Sequence, residues 1–135
     1  VQVVMTRAAR EFVAPLTLQA VSRRPVMTDL FDRAAGAEVR HVVAAREADL
    51  ALVAPATANF LAKLAHGVAD DPVTTVFLAV AAPTLIAPAM NQAMWRNRAT
   101  QDNVALLQQR GVAIWGPGRP PSPRGSPVRS SLILT

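Results

Sequence analysis

The chain has 135 residues, 51% of them apolar, a net charge of +5 and no cysteine. That is enough apolar material for one folded core and excludes a disordered protein, disulfides, thiolate metal sites and a catalytic thiol. No apolar run is long enough for a membrane span and no leader pattern opens the chain, so the expected address is cytoplasmic, with no membrane partner.

Taken in order, Val1-Gln-Val-Val-Met5 has the pattern of a strand. Thr6 follows as a helix N-cap for Arg7 to Val13, its hydroxyl able to accept an orphan backbone N–H. A short helix from Pro15 to Ser22 is expected next, with Pro in the first turn where no N–H is needed, and Arg23-Arg24-Pro25 breaks it. Val26 to Asp32 reads as extended and Arg33 to Glu38 as a loop around Gly36. His41 to Ala48 then reads as a helix leading into the apolar strand Leu50 to Ala54. Thr57 caps the helix Ala58 to His66, which Gly67 closes in the left-handed region. Asp70 and Asp71 precede a helix from Pro72 to Ala81, where negative charge suits the positive helix end. A second buried strand covers Thr84 to Ala87, and Asn91 reads equally as a helix N-cap or as a site residue. Asn97 opens a helix to Arg110, and Val112 to Trp115 is the last strand-like run.

Strands alternating with helices of about ten residues argue for parallel βαβ units, an α/β fold with helices on both faces of the sheet. The positive charge gathers late, in Arg110, Arg119, Arg124 and Arg129, with no acid after Asp102. Residues 119–135 are therefore expected to form an irregular Pro/Arg-rich tail behind a domain over 1–118. Lacking interleaved aromatics, that tail gives little reason to expect a nucleic-acid partner. With no histidine or third carboxylate close in sequence to Asp70 and Asp71, no metal site is expected.

The two apolar runs at Leu50 and Thr84 each stop at a Pro and then at small polar residues. In an open α/β sheet such loops emerge at the carboxyl edge, where ligands bind, so Thr57, Asn59 and Asn91 are candidates for one site. Pro55-Ala-Thr-Ala-Asn59, Ala62-Lys-Leu-Ala-His-Gly-Val-Ala-Asp-Asp71 and Pro88-Ala-Met-Asn-Gln-Ala-Met-Trp95 resemble the signature stretches of the FMN-dependent cysteine decarboxylases. Within that family the match is to the phosphopantothenoylcysteine decarboxylase domain of coenzyme A biosynthesis.

The resemblance implies a flavodoxin-like, Rossmann-type sheet lacking its first strand, assembled as a homotrimer or larger oligomer with FMN as cofactor. It places Thr6, Thr57, Ala58, Asn59 and Phe60 at the FMN, His41 as catalytic base, and Ala89, Met90 and Asn91 at the substrate, Asn91 holding the carboxylate. Family members often have Thr where this chain has Phe60. The implied reaction oxidises the cysteinyl side chain of phosphopantothenoylcysteine to a thioaldehyde, whose electron sink lets carbon dioxide leave. An enethiolate results, which the reduced flavin returns to phosphopantetheine. The family also carries a flap cysteine after the strand matching Val112 to Trp115, and this chain has none. Two other readings remain open: a decarboxylase of peptides ending in cysteine, and a non-catalytic flavoprotein subunit.

Overall fold

The apolar run that opens at Leu50 becomes the strand β2 (Leu50–Ala56), whose Ala51, Val53 and Ala56 are completely buried. The computed structural model describes residues 1–29, 37–116 and 131–135. The other strands are β1 (Gln2–Val4), β3 (Thr84–Pro88), β4 (Ala113–Ile114) and β5 (Ser131–Leu134). They form one sheet in the order β1-β5-β2-β3-β4, every neighbouring pair parallel. Parallel pairing demands crossovers, and helices supply them. They are α1 (Pro15–Ser22), α2 (Ala37–Glu47), α3 (Ala58–His66), α4 (Pro72–Ala79), α5 (Gln92–Arg96) and α6 (Arg98–Gln109). The α/β class expected from the sequence is the class observed.

The core follows from which apolar residues the helices and strands share. Leu61 and Leu64 of α3, Val73 and Val76 of α4 and Leu107 of α6 join Val4, Val53, Ile86 and Leu134 of the sheet in one buried cluster. α3 packs against both α4 and α6. Local chemistry sets the helix ends. Thr57 Oγ1 accepts the Phe60 N–H at 3.2 Å at the start of α3, and Gly67, at φ 68°, ends it. Asp71 opens α4 with a capping box, accepting from the N–H groups of Val73 and Thr74 at 2.8 and 2.9 Å. Its partner Thr74 Oγ1 accepts the Asp71 N–H at 3.1 Å, so orphan donors are satisfied in both directions. At the end of α3, Arg110 Nη1 donates to the Ala65 carbonyl at 2.6 Å and ties α6 to it.

Four expectations are corrected. α2 begins at Ala37, so Ala37 and Glu38, expected in the loop around Gly36, are helical. Arg7 to Val13 is not an α-helix: only a single 3-10 turn forms, at Ala9–Glu11. Pro15 forces Ala14 into an extended conformation (ψ 136°), which leaves the run no room to grow into α1. α4 ends at Ala79 and not Ala81, and Val80 is already extended. The largest correction concerns the tail. Within residues 119–135, expected to be irregular, Ser131–Leu134 is a strand because Leu132-Ile-Leu134 is an apolar run between two partners, and Leu134 is fully buried. This strand stands between β1 and β2 in the sheet. Of the segment read as extended over Val26 to Asp32, Met27 bridges to β1, its N–H reaching the Val3 carbonyl at 2.9 Å. Residues 30–36 and 117–130 lie outside the described residues.

Candidate functional site

Because all five strands run parallel, the ends of β1, β2 and β3 deliver Thr6, Thr57 and Ala89 to one rim of the sheet. This is the carboxyl edge, where open α/β sheets place their ligands. Two cavities open from these loops. The first has a volume of about 350 Å³, within the usual span of small-molecule sites. Its walls include Thr6, Thr57, Asn59 and Phe60, four of the five residues that the resemblance assigns to the cofactor. Ala58, the fifth, is not in the wall. Its backbone N–H, like that of Asn59, belongs to the first turn of α3, where no intrahelical acceptor is available.

The polar groups of this cavity have defined directions. Thr57 Oγ1 accepts from Phe60 N–H, and Thr6 Oγ1 accepts from Ala9 N–H at 3.1 Å, so each hydroxyl keeps its hydrogen for a ligand. Phe12, Val53, Pro55 and Phe60 are the large apolar residues around the same cavity. Lys63 lies one turn from Asn59 on α3 and also reaches the wall, but its ammonium is engaged. It contacts both Asp70 carboxylate oxygens at 2.7 Å and Asp71 at 3.7 Å. The hydrogen bond to Asp70 holds the Lys63 ammonium above its ordinary pKa of 10.5, outweighing the opposing effect of partial burial. Arg7 is the other cation of the wall, and among the described residues no carboxylate pairs with it. Its place beside Thr6 was readable from the sequence once Thr6 was a candidate. The part of Lys63 was readable too, from its spacing of four from Asn59 on one helix face. Thr135, also in the wall, had no such signal.

The second cavity, about 460 Å³, is lined by Pro88, Met90, Gln92, Trp95 and Arg96. It lies beside the first in the sheet, since Pro88 pairs with Ala56 at the end of β2 and the Ala89 N–H donates to the Ala56 carbonyl at 2.9 Å. Met90 belongs to its wall; Asn91 does not line either cavity. Asn91 opens α5 instead, its Oδ1 accepting the Ala93 N–H at 2.7 Å. Both roles that the sequence left open for Asn91 are chemically compatible, because committing Oδ1 to the helix leaves the amide NH₂ free to donate. Gln101 Nε2 holds the Trp95 carbonyl at 2.5 Å and fixes the short helix against α6. His41 lies in α2, and its side chain falls outside the described residues. No group of three or more potential metal ligands occurs among the described residues, and no described helix is long and apolar enough to cross a membrane.

Comparison with known proteins gives consistent results. The Flavoprotein family model matches residues 1–129. The coenzyme A biosynthesis bifunctional protein CoaBC of Vibrio vulnificus (strain YJ016) is 56% identical over 117 residues, 87% of this chain. The match spans only 29% of that relative's length. Among solved structures, the FMN-dependent cysteine decarboxylase SpaF superposes with a TM-score of 0.78 at 45% identity, covering 85% of this chain and 65% of its own. A PPC decarboxylase mutant complexed with pantothenoylaminoethenethiol superposes with a TM-score of 0.69 at 30% identity, covering 82% and 63%.

Proposed function

The chain belongs to the Flavoprotein family, and from that premise we propose that it binds FMN and decarboxylates 4'-phosphopantothenoylcysteine in the route to coenzyme A. The observation that carries the reading is the shared rim: Thr6, Thr57, Asn59 and Phe60 enclose one cavity while the Met90–Asn91 loop leaves the adjacent strand. The cavity suits the cofactor. Apolar walls from Phe12, Val53 and Phe60 accept a flat ring system, and the hydroxyls of Thr6 and Thr57 with the first N–H groups of α3 meet carbonyl oxygens. Arg7, free of carboxylates among the described residues, is the group placed for a phosphate.

When bound, FMN supplies the oxidising equivalent for the cysteinyl side chain. The chain's own residues do the rest. His41 removes a proton as general base. Asn91, its Oδ1 held by α5, turns its NH₂ to the carboxylate and fixes its orientation, so its contribution is positional. Met90 and Trp95 line the second cavity, with Gln92 and Arg96 as its polar members. The relative captured with an ethenethiol supports the enethiol as the product of this stage. With no cysteine in the chain, we expect the isolated protein to stop there. The assembly we propose is a homotrimer or larger oligomer, formed in the cytoplasm.

The test is anaerobic addition of phosphopantothenoylcysteine to the purified yellow protein. Flavin bleaching with carbon dioxide release is expected, and His41→Gln should keep the flavin but lose the bleaching by ~10² or more. A protein that holds FMN and never bleaches refutes the enzymatic reading in favour of a non-catalytic subunit. The similarity to SpaF supports one other substrate, a peptide ending in cysteine; faster carbon dioxide release from such a peptide would replace the small-molecule assignment.

A further inference from the structure

The first cavity is made from two pieces of the sheet that do not touch as strands. Thr6, Arg7 and Phe12 follow β1, whereas Thr57, Asn59 and Phe60 follow β2. β1 and β2 are not neighbours; β5 stands between them and is the one named strand to which β1 is hydrogen bonded. Leu134 is paired with Val4 on one side and Val53 on the other, and all three are fully buried. The Thr135 N–H donates to the Val4 carbonyl at 2.9 Å, and the Thr6 N–H donates to the Thr135 carbonyl at 2.5 Å. The backbone that carries the Thr6 hydroxyl into the cavity is thus pinned by residue 135, which is itself part of the wall.

The strand is held on both sides, by its ladders to β1 and to β2. It has four residues, and it is reached from β4 through residues 115–130, a stretch rich in Pro, Gly and Arg with few apolar anchors.

We infer that Ser131–Thr135 is the assembly strand of the site: its docking between β1 and β2 brings the two halves of the cavity together. Docking and occupancy are then linked. A ligand touching both halves binds only the docked form, and by reciprocity it stabilises the docked strand by its differential affinity. The ligand is the flavin mononucleotide of the proposed function, and only this part of the inference rests on that reading.

Three measurements on the full chain test it. Because the chain has no cysteine, the directly paired Leu52 and Ile133 can be replaced as Leu52→Cys with Ile133→Cys, at a spacing a disulfide can bridge. Oxidation should give an intrachain bond that leaves FMN binding at least as tight as in the unsubstituted protein. Leu134→Asp, which places a carboxylate between Val4 and Val53, should weaken FMN binding at least tenfold while the amides of β2 and β3 stay protected from exchange. FMN should slow amide exchange at Ile133 and Leu134 at least tenfold. Failure of the cross-link to form, bonds mainly between chains, wild-type affinity in L134D, or β5 exchange that ignores FMN would each overturn the inference. Failure of the flavin assignment looks different: the cross-link forms but no variant takes up FMN, in which case strand assembly is upheld and the cofactor reading falls.

Discussion

Thr57 is asked to do two jobs with one hydroxyl, and substitution can separate them. Its oxygen accepts the Phe60 N–H at 3.2 Å and caps α3, which leaves its hydrogen available to a ligand in the first cavity that Thr57 lines. Thr57→Ala removes both functions. The lost cap should cost ~1 kcal/mol of stability, lowering Tm by about 4 °C in a chain of this size. The lost donor should cost ~0.5–1.5 kcal/mol of FMN binding, roughly 2–10-fold in Kd. Thr57→Asp dissociates the two effects. Aspartate caps at least as well as threonine, and its charge suits the helix N-terminus, so stability should stay within about 0.5 kcal/mol of the parent or exceed it. Yet an ionised carboxylate has no hydrogen to give and meets the flavin carbonyls with like polarity, so binding should fall at least as far as in the alanine variant. Urea melts and titrations of FMN fluorescence quenching give the two numbers. If T57D binds FMN as tightly as the parent protein, the hydroxyl is only a cap and the cavity assignment is wrong.

Asn91→Asp should also preserve its helix start, since the new carboxylate can still accept the Ala93 N–H at the observed 2.7 Å position, but it should raise KM at least tenfold by opposing the substrate carboxylate; an unchanged KM would remove Asn91 from the site. Ile86 is fully buried at the centre of β3, so Ile86→Ala should cost ~2–5 kcal/mol in chemical denaturation by leaving a cavity. Lys63 has its pKa raised by Asp70, so its ion pair contributes below pH 10.5 and is lost as the pH climbs beyond that value through the folded-state pKa. Its side chain is one-quarter exposed, so Lys63→Met should cost only ~0.5 kcal/mol at neutral pH, and the difference from the parent should close above the lysine titration. A cost that persists unchanged into that range would mean that the stem and not the charge matters.

Much of this arrangement could be read from residue order because its determinants are local. Thr57, Asp71 and Asn97 each cap the helix that the sequence assigns to them, and a cap is decided within four residues. The rim position of the Thr57 and Asn91 loops also followed from pattern, since apolar runs ending at Pro55 and Pro88 dictate buried parallel strands with loops at one edge. What was not legible depends on pairing across long separations. Leu132-Ile-Leu134 is too short to outweigh the Pro and Arg before it in any local window, and its strand exists only because β1 and β2 present free edges on either side. Arg7 to Val13 failed for the opposite reason: its helix signal was real, but Pro15 controlled the backbone beyond it.

At three positions of the rim the caps direct what the side chain offers to a ligand. At Thr6, Thr57 and Asn91 the side-chain oxygen is spent on a backbone N–H of the following turn, at 3.1, 3.2 and 2.7 Å. Each retains a hydrogen for a ligand. The acidic groups nearest the first cavity are engaged in the same way. Asp71 accepts from Val73 and Thr74, and it shares the Lys63 ammonium with Asp70. After these internal demands are met, the groups of the rim offered to a ligand include N–H and O–H donors and the guanidinium groups of Arg7 and Arg96. A surface of that kind favours electron-rich ligands, such as flavin carbonyls, a phosphate and a departing carboxylate, and disfavours cations. Helix capping, which serves local stability, thereby also sets the sign of what the site can hold.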